Sequence, residues 1–214
     1  MTEKRSKSRN ILQILALFLM LVVLPLGSFY YLRKGFNYQK AAWAELQDRA
    51  SVPSFKLQDL RGNMIASDSL GNKIVVANFV SYAELKDNKL WAERFKNLSG
   101  QFHDRSEFEI VSYLTDKDSL AASERTVLLE NYELRNPAQW HVLYGNSQQV
   151  QQMARQFQFP DTNEPYFALI DTLMVKNYYR ADQMEDFAKM AQHISLILPR
   201  EETKDIILER DKEM

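Results

Sequence analysis

The chain has 214 residues, with 27 Lys+Arg against 28 Asp+Glu and no cysteine. The near-zero net charge excludes a polybasic nucleic-acid binder. The missing cysteines exclude disulfides, thiol nucleophiles, thiolate metal ligands and a lipid anchor attached through cysteine.

Residues 1–10 are basic, with Lys4, Arg5, Lys7 and Arg9. Residues 11–32, ILQILALFLMLVVLPLGSFYYL, carry no charge, and only Gln13 and Ser28 are plainly polar. As a helix this stretch spans roughly 33 Å, enough for a bilayer core. The basic cluster before it, against Arg33 and Lys34 after it, predicts an N-terminus in the cytoplasm. The rest of the chain then lies on the periplasmic, extracytoplasmic side of the cytoplasmic (inner) membrane. Tyr30 and Tyr31 fit an aromatic belt, and Pro25 predicts a kink. A cleaved signal peptide competes with this reading. The apolar run is long, however, and LGSFYYLRKG offers no Ala-x-Ala site, so a retained anchor is expected. Four of the basic residues and one acidic residue precede the anchor, which leaves residues 33–214 mildly acidic at net −4.

Residues 33–52 read as a juxtamembrane linker, with a short helix near Ala41, Ala42, Trp43 and Leu46. A single domain is predicted over 53–198. Its opening, SFKLQDLRGNMIASDSLGNK, reads as a β-hairpin turning at Arg61-Gly62-Asn63. KIVVANFV, 73–80, is the continuous β-branched run of a strand buried on both faces. A helix over 85–102 carries Trp91, Phe95, Leu98 and Phe102 on one face. Strand 107–114, helix 119–134, strand 140–144, helix 147–157, strands 166–171 and 174–179 and helix 182–197 follow. Met184, Phe187, Ala188, Ala191, Ile194 and Ser195 form the expected stripe of the last helix. Residues 199–214 form a charged tail. The alternating part requires a parallel sheet with covering helices, and the closing ββα adds an antiparallel hairpin. The fold class is α/β, a thioredoxin-like mixed sheet with an N-terminal hairpin and helices on both faces, behind one transmembrane helix.

The order of these segments resembles the Sco/SenC family of membrane-anchored, thioredoxin-fold proteins. PSFKLQDLRGNMIASDSLGNKIVVANFV resembles the family's opening hairpin and first central strand. WHVLYGNSQQVQQMARQFQF resembles its W-x-x-L-x-G segment and following helix, and YFALIDTLMVKNYYRAD its terminal hairpin. The resemblance covers about 53–198 and includes the single anchor. It implies a role in copper delivery to, or thiol maintenance of, cytochrome c oxidase. The family carries Cys-x-x-x-Cys after the first central strand and a His before the Leu-Ile-Asp strand, a set suited to copper. Here the cysteine positions fall at Glu84 and Asn88, and the His position at Asn163. The resemblance also places Pro165 where thioredoxin-like folds keep a cis-proline.

Two readings of Glu84, Asn88 and Asn163 compete. With Asp87 and Asp161 they are oxygen donors for a hard cation. Alternatively Glu84, Asp87 and Asn88 are loop residues that cap the next helix, which their types favour. His103, His141 and His193 show no close ligand spacing. His103 reads as a helix end, His141 as a packed or surface strand residue, and His193 as helix surface. Met153, Met184 and Met190 fit apolar stripes. The expected function is therefore that of a non-redox, cysteine-less Sco/SenC-like interaction protein, not an enzyme and without cofactor. It would bind a protein partner, a respiratory oxidase subunit or assembly factor, at the membrane. The alternative is a metal-binding protein with a rebuilt site of oxygen, His or Met ligands. A redoxin-type enzyme would need a reactive thiol.

Overall fold

A computed structural model describes residues 13, 15–132, 134, 136–160 and 164–199. The basic N-terminus, the tail from residue 200, Asp161 and Asn163 lie outside the described residues. The chain divides into two units at Glu45/Leu46.

The first unit is helical from Leu15 to Glu45, with a mean hydropathy of 2.2 over its most apolar window. By length and composition it can cross a membrane. At 1.5 Å per residue it is about 46 Å long, more than the ~30 Å bilayer core requires. Helix α1 (Leu24–Glu45) follows a π-helical turn at Leu19–Val23, where the Leu24 N–H reaches back to the Leu19 carbonyl. Pro25 explains the turn. It has no N–H to donate and its ring crowds the carbonyl four residues back, and one wider turn absorbs both effects.

The second unit is built on one eight-stranded sheet, in the order β1-β8-β7-β4-β5-β6-β2-β3. The strands are β1 (Ala50–Ser51), β2 (Lys56–Asp59), β3 (Met64–Ala66), β4 (Ile74–Val80), β5 (Phe108–Leu114), β6 (Trp140–Tyr144), β7 (Tyr166–Asp171) and β8 (Met174–Arg180). β4, β5 and β6 are parallel, while β7 runs antiparallel to β4 and to β8. The β2–β3 hairpin turns at Gly62, whose φ of +88° suits glycine, and pairs antiparallel with β6.

Among the described residues five helices cover the sheet: α2 (Tyr82–Asp87), α3 (Lys89–Phe102), α4 (Ala122–Asn131), α5 (Ser147–Gln156) and α6 (Met184–Ile197). The apolar run of β4 divides between the two faces. Ile74, Val76 and Val80 join Phe95 and Leu98 of α3 and Met190 and Ile194 of α6. Val75 and Ala77 join Val150 and Met153 of α5. A strand covered on both sides has no use for polar alternation, which is why this one reads as a continuous apolar run. The result is the expected thioredoxin-like plan.

Four details depart from the sequence reading. The expected helix 85–102 is two helices broken at Asn88, because both α2 and α3 carry their own N-terminal cap. Within 33–52 the helix is longer than expected and a short strand follows. The helix runs to Glu45, and β1 joins the sheet edge through Arg49 N–H to Val175 O and Val52 N–H to Leu173 O. The α6 stripe is rotated: Phe187, Met190, Ala191, His193 and Ile194 are buried, while Met184, Ala188 and Ser195 are exposed. His193 is fully buried rather than on the surface, because the Tyr179 hydroxyl on β8 supplies a partner for its Nδ1.

Candidate functional site

The carboxyl ends of β4 and β5, beside the switch to β7, open a cleft of about 440 Å³. Ligands of open α/β sheets gather at such an end. Its lining includes the ring side chains Phe79, Trp91, Phe159, Pro165 and Tyr166. Ser81, Glu84, Asn88, Thr115, Arg155 and Glu164 form its polar part. Glu84, Asn88 and Pro165 thus meet across 77 residues of sequence or more. The structure does not bring His141 there; it pairs with Val111 toward the other end of the sheet.

Glu84 and Asn88 each cap a helix. Ser81 N–H and Ser81 Oγ donate to Glu84 Oε2 at 2.9 and 2.8 Å, and Ser81 Oγ accepts from Glu84 N–H at 3.2 Å. This reciprocal capping box starts α2. Asn88 Oδ1 accepts the Leu90 N–H at 3.0 Å and starts α3. One oxygen of Glu84 and the side-chain oxygen of Asn88 are thus engaged in capping. Among the described residues no cluster of three or more His, Asp or Glu side chains could hold a metal. Glu84→Ala is expected to lower the stability of the second unit by about 1 kcal/mol through loss of the cap. Chemical denaturation measures it.

Pro165 is trans, a correction to the expected cis bond. Trans is the ordinary isomer by about 0.5–1 kcal/mol. The Pro165 carbonyl accepts the Ala181 N–H at 2.7 Å, which ties it to the end of β8 as a strand entrance would be.

Residues 115–118 hold the cleft walls in place. Thr115 N–H donates to Val80 O at 3.0 Å, and Thr115 O accepts from Gln151 Nε2 at 3.0 Å. Asp116 accepts the Tyr82 N–H at 2.8 Å, and Asp118 the Ser147 N–H at 2.7 Å. Lys117 sits over the Tyr82 ring at 4.6 Å and pairs with Glu124 at 2.7 Å. On the other wall Arg180 bridges Glu164 at 2.7 Å and Asp182 at 2.8 Å. The 115–118 segment thereby ties β4, α2, α4 and α5 together beside the opening.

These contacts set a pH response. The Ser147 donors hold Asp118 below its ordinary 3.8, Lys117 holds Glu124 below 4.5, and Arg180 holds Asp182 below 3.8. Burial, outweighing the attraction of Glu109, pushes His141 below 6.5. Each of these four groups binds protons more readily when unfolded. Their stabilisation is complete above the ordinary values and is lost as the pH falls below them. The unfolding temperature is expected to decline from about pH 6.5 on account of His141, with a smaller further decline below about pH 4.5 from the solvent-screened carboxylates. His141→Gln is expected to remove the first part of the decline. A thermal melt series from pH 8 to 3 checks both.

No protein-family model matches the sequence, and no curated protein matches it. Solved structures do. A structure of BsSco, described as a member of the Sco family of cytochrome c oxidase assembly proteins, superposes with a TM-score of 0.57. The two are 15% identical, over 68% of this chain and 92% of that one. The soluble domain of Sco1 from Bacillus subtilis gives 0.52 at 17% identity, over 69% and 92% of the two chains. ScoI of Arabidopsis thaliana with copper bound gives 0.51 at 13%, over 68% and 99%. These likenesses are of fold: the second unit has the thioredoxin-like fold of Sco proteins, without a cysteine.

Proposed function

We propose that this chain is a membrane-anchored, cysteine-less Sco/SenC-like protein whose exported domain docks a partner polypeptide in the cleft and performs no redox step. One observation carries the reading. Glu84 and Asn88, which the resemblance to the family aligns with its cysteines, are helix caps at a cleft whose lining includes Phe79, Trp91, Phe159 and Tyr166. Thiol–disulfide exchange requires a thiolate, which the composition excludes. Cu(I) prefers thiolate and thioether donors, and the lining contains neither. What remains is shape and a partly aromatic lining: Phe79, Phe159 and Tyr166 are half-buried at the cleft and Trp91 is buried behind it, residue types common in protein-binding hot spots. The helix Leu15–Glu45 serves as anchor, with the N-terminus in the cytoplasm. The likeness to Sco structures supports a partner in the respiratory oxidase or its assembly machinery.

A photo-crosslinking residue placed at Arg155, on the cleft, and at Lys96, on the exposed side of α3, tests this in intact membranes. One discrete adduct from position 155, containing an oxidase subunit or assembly factor and absent from position 96, is expected. Adducts from position 96 alone would refute the docking site. Competition of the purified protein against a Cu(I) chelator separates the metal-binding reading. Stoichiometric Cu(I) retention that disappears in Glu84→Ala or His141→Ala would replace docking by a rebuilt metal site.

A further inference from the structure

Arg94 of α3 is a cation with almost no exposure, 4%, and it forms no ion pair with a carboxylate of the described residues. A buried charge without a counter-charge is costly unless other groups satisfy it. Three do so in part. Nε donates to the Ala181 carbonyl at 2.8 Å, the guanidinium lies 4.7 Å from the centre of the Phe187 ring, and Nη1 donates to the Met184 sulfur at 3.6 Å. The last is the weakest, because a thioether is a poor acceptor. Met184 is also the first residue of α6, whose first turn carries Glu185 and Asp186. The buried guanidinium thus ends on a sulfur atom whose residue is 60% exposed to water.

We propose that Met184 is an oxidation site whose sulfoxide this pocket is built to accept. The reagent is a hydroperoxide, with hydrogen peroxide the simplest. The sulfur lone pair attacks the distal peroxide oxygen, an S–O bond forms and the O–O bond breaks. The proton of the transferred hydroxyl passes to the departing hydroxide, and water leaves. Sulfur is oxidised by two electrons and the peroxide is reduced by two. The product oxygen carries much of the S–O dipole's negative charge and is a strong acceptor. Arg94 Nη1 faces it, so a weak contact between α3 and α6 becomes a charge-assisted hydrogen bond. At most sites the same oxidation introduces a polar group into apolar packing and destabilises. Met64 is the internal control, since it is 54% exposed with no guanidinium bonded to its sulfur.

The test uses the full chain in detergent. Glutamine carries an amide oxygen near the sulfoxide position, so Met184→Gln is compared with Met184→Leu and Met64→Gln with Met64→Leu. Met184→Gln is expected to unfold about 2–4 °C above Met184→Leu, with no such gap at position 64. Peroxide treatment with peptide mapping is the second arm. Met184 and Met64 are expected to oxidise before the buried Met153 and Met190. The shift in unfolding temperature on oxidation is expected to be more favourable in the wild type than in Met184→Leu treated alike. An equal or lower melting temperature for Met184→Gln than for Met184→Leu overturns the proposal. So does a Met184 that stays reduced while Met64 oxidises.

Discussion

Phe95→Ala is expected to destabilise the second unit by about 3–5 kcal/mol, a large part of the ~5–15 kcal/mol typical of a domain. Phe95 is fully buried at the centre of an aromatic cluster. Its ring lies 5.6 Å from Trp140, 5.7 Å from Tyr132, 6.0 Å from Phe167 and 6.1 Å from Trp91. Alanine removes the contacts of four neighbours at once. Those neighbours sit on α3, β6, β7 and the loop after α4, so no single element can move in to fill the space. Urea titration followed by tryptophan fluorescence is the measurement: the midpoint should fall while the slope stays constant. A loss under about 1 kcal/mol would mean that the cluster repacks, and that its order is not what ties the helix layer to the sheet.

Ser112→Val is expected to cost about 3 kcal/mol, from the loss of two hydrogen bonds and from an extra carbon forced into a full interior. Ser112 lies in the middle strand of the parallel set and is fully buried. Its hydroxyl donates to Asn78 Oδ1 at 2.8 Å on β4 and accepts from Trp140 Nε1 at 3.1 Å on β6. Valine would leave both groups buried without partners. Asn78 Nδ2 already has no partner among the described residues, so no spare bond exists to compensate. Adding Asn78→Leu should recover part of the loss, because an apolar pair needs no hydrogen bonds. An additive double variant would show that the three groups do not act as one network.

The cleft itself was only partly legible in the sequence. Glu84 and Asn88 were placed in it by motif position, and their residue types pointed to the capping that the structure bears out. Trp91, Phe159, Tyr166 and Arg155 were not singled out as site residues. Trp91 belongs to the buried stripe of α3, and the stripe says nothing of which of its members also reaches an opening. Phe159 and Arg155 come from the end of α5, whose position over β4 depends on the crossover between β6 and β7. The available signal was topological: loops that leave the carboxyl ends of adjacent parallel strands share one end of the sheet.

Local chemistry is what the sequence by itself determined. Period and composition sufficed for the apolar N-terminal helix, the doubly buried β4, the β2–β3 hairpin at Gly62 and the central strands, because each pattern records a face that must leave water. The absence of thiol chemistry needed no structure at all. Tertiary structure alone decided what depends on a distant partner. His193 is buried because Tyr179 answers its ring nitrogen across 14 residues. Residues 50–51 became a strand because the edge of β8 had carbonyls to offer. Met184 lies outside its helix stripe, against Arg94, because the packing of α6 on β7 and β8 sets the rotation of that helix. A periodic pattern defines a stripe only to within about one residue of rotation, and the side chains facing it make the final choice.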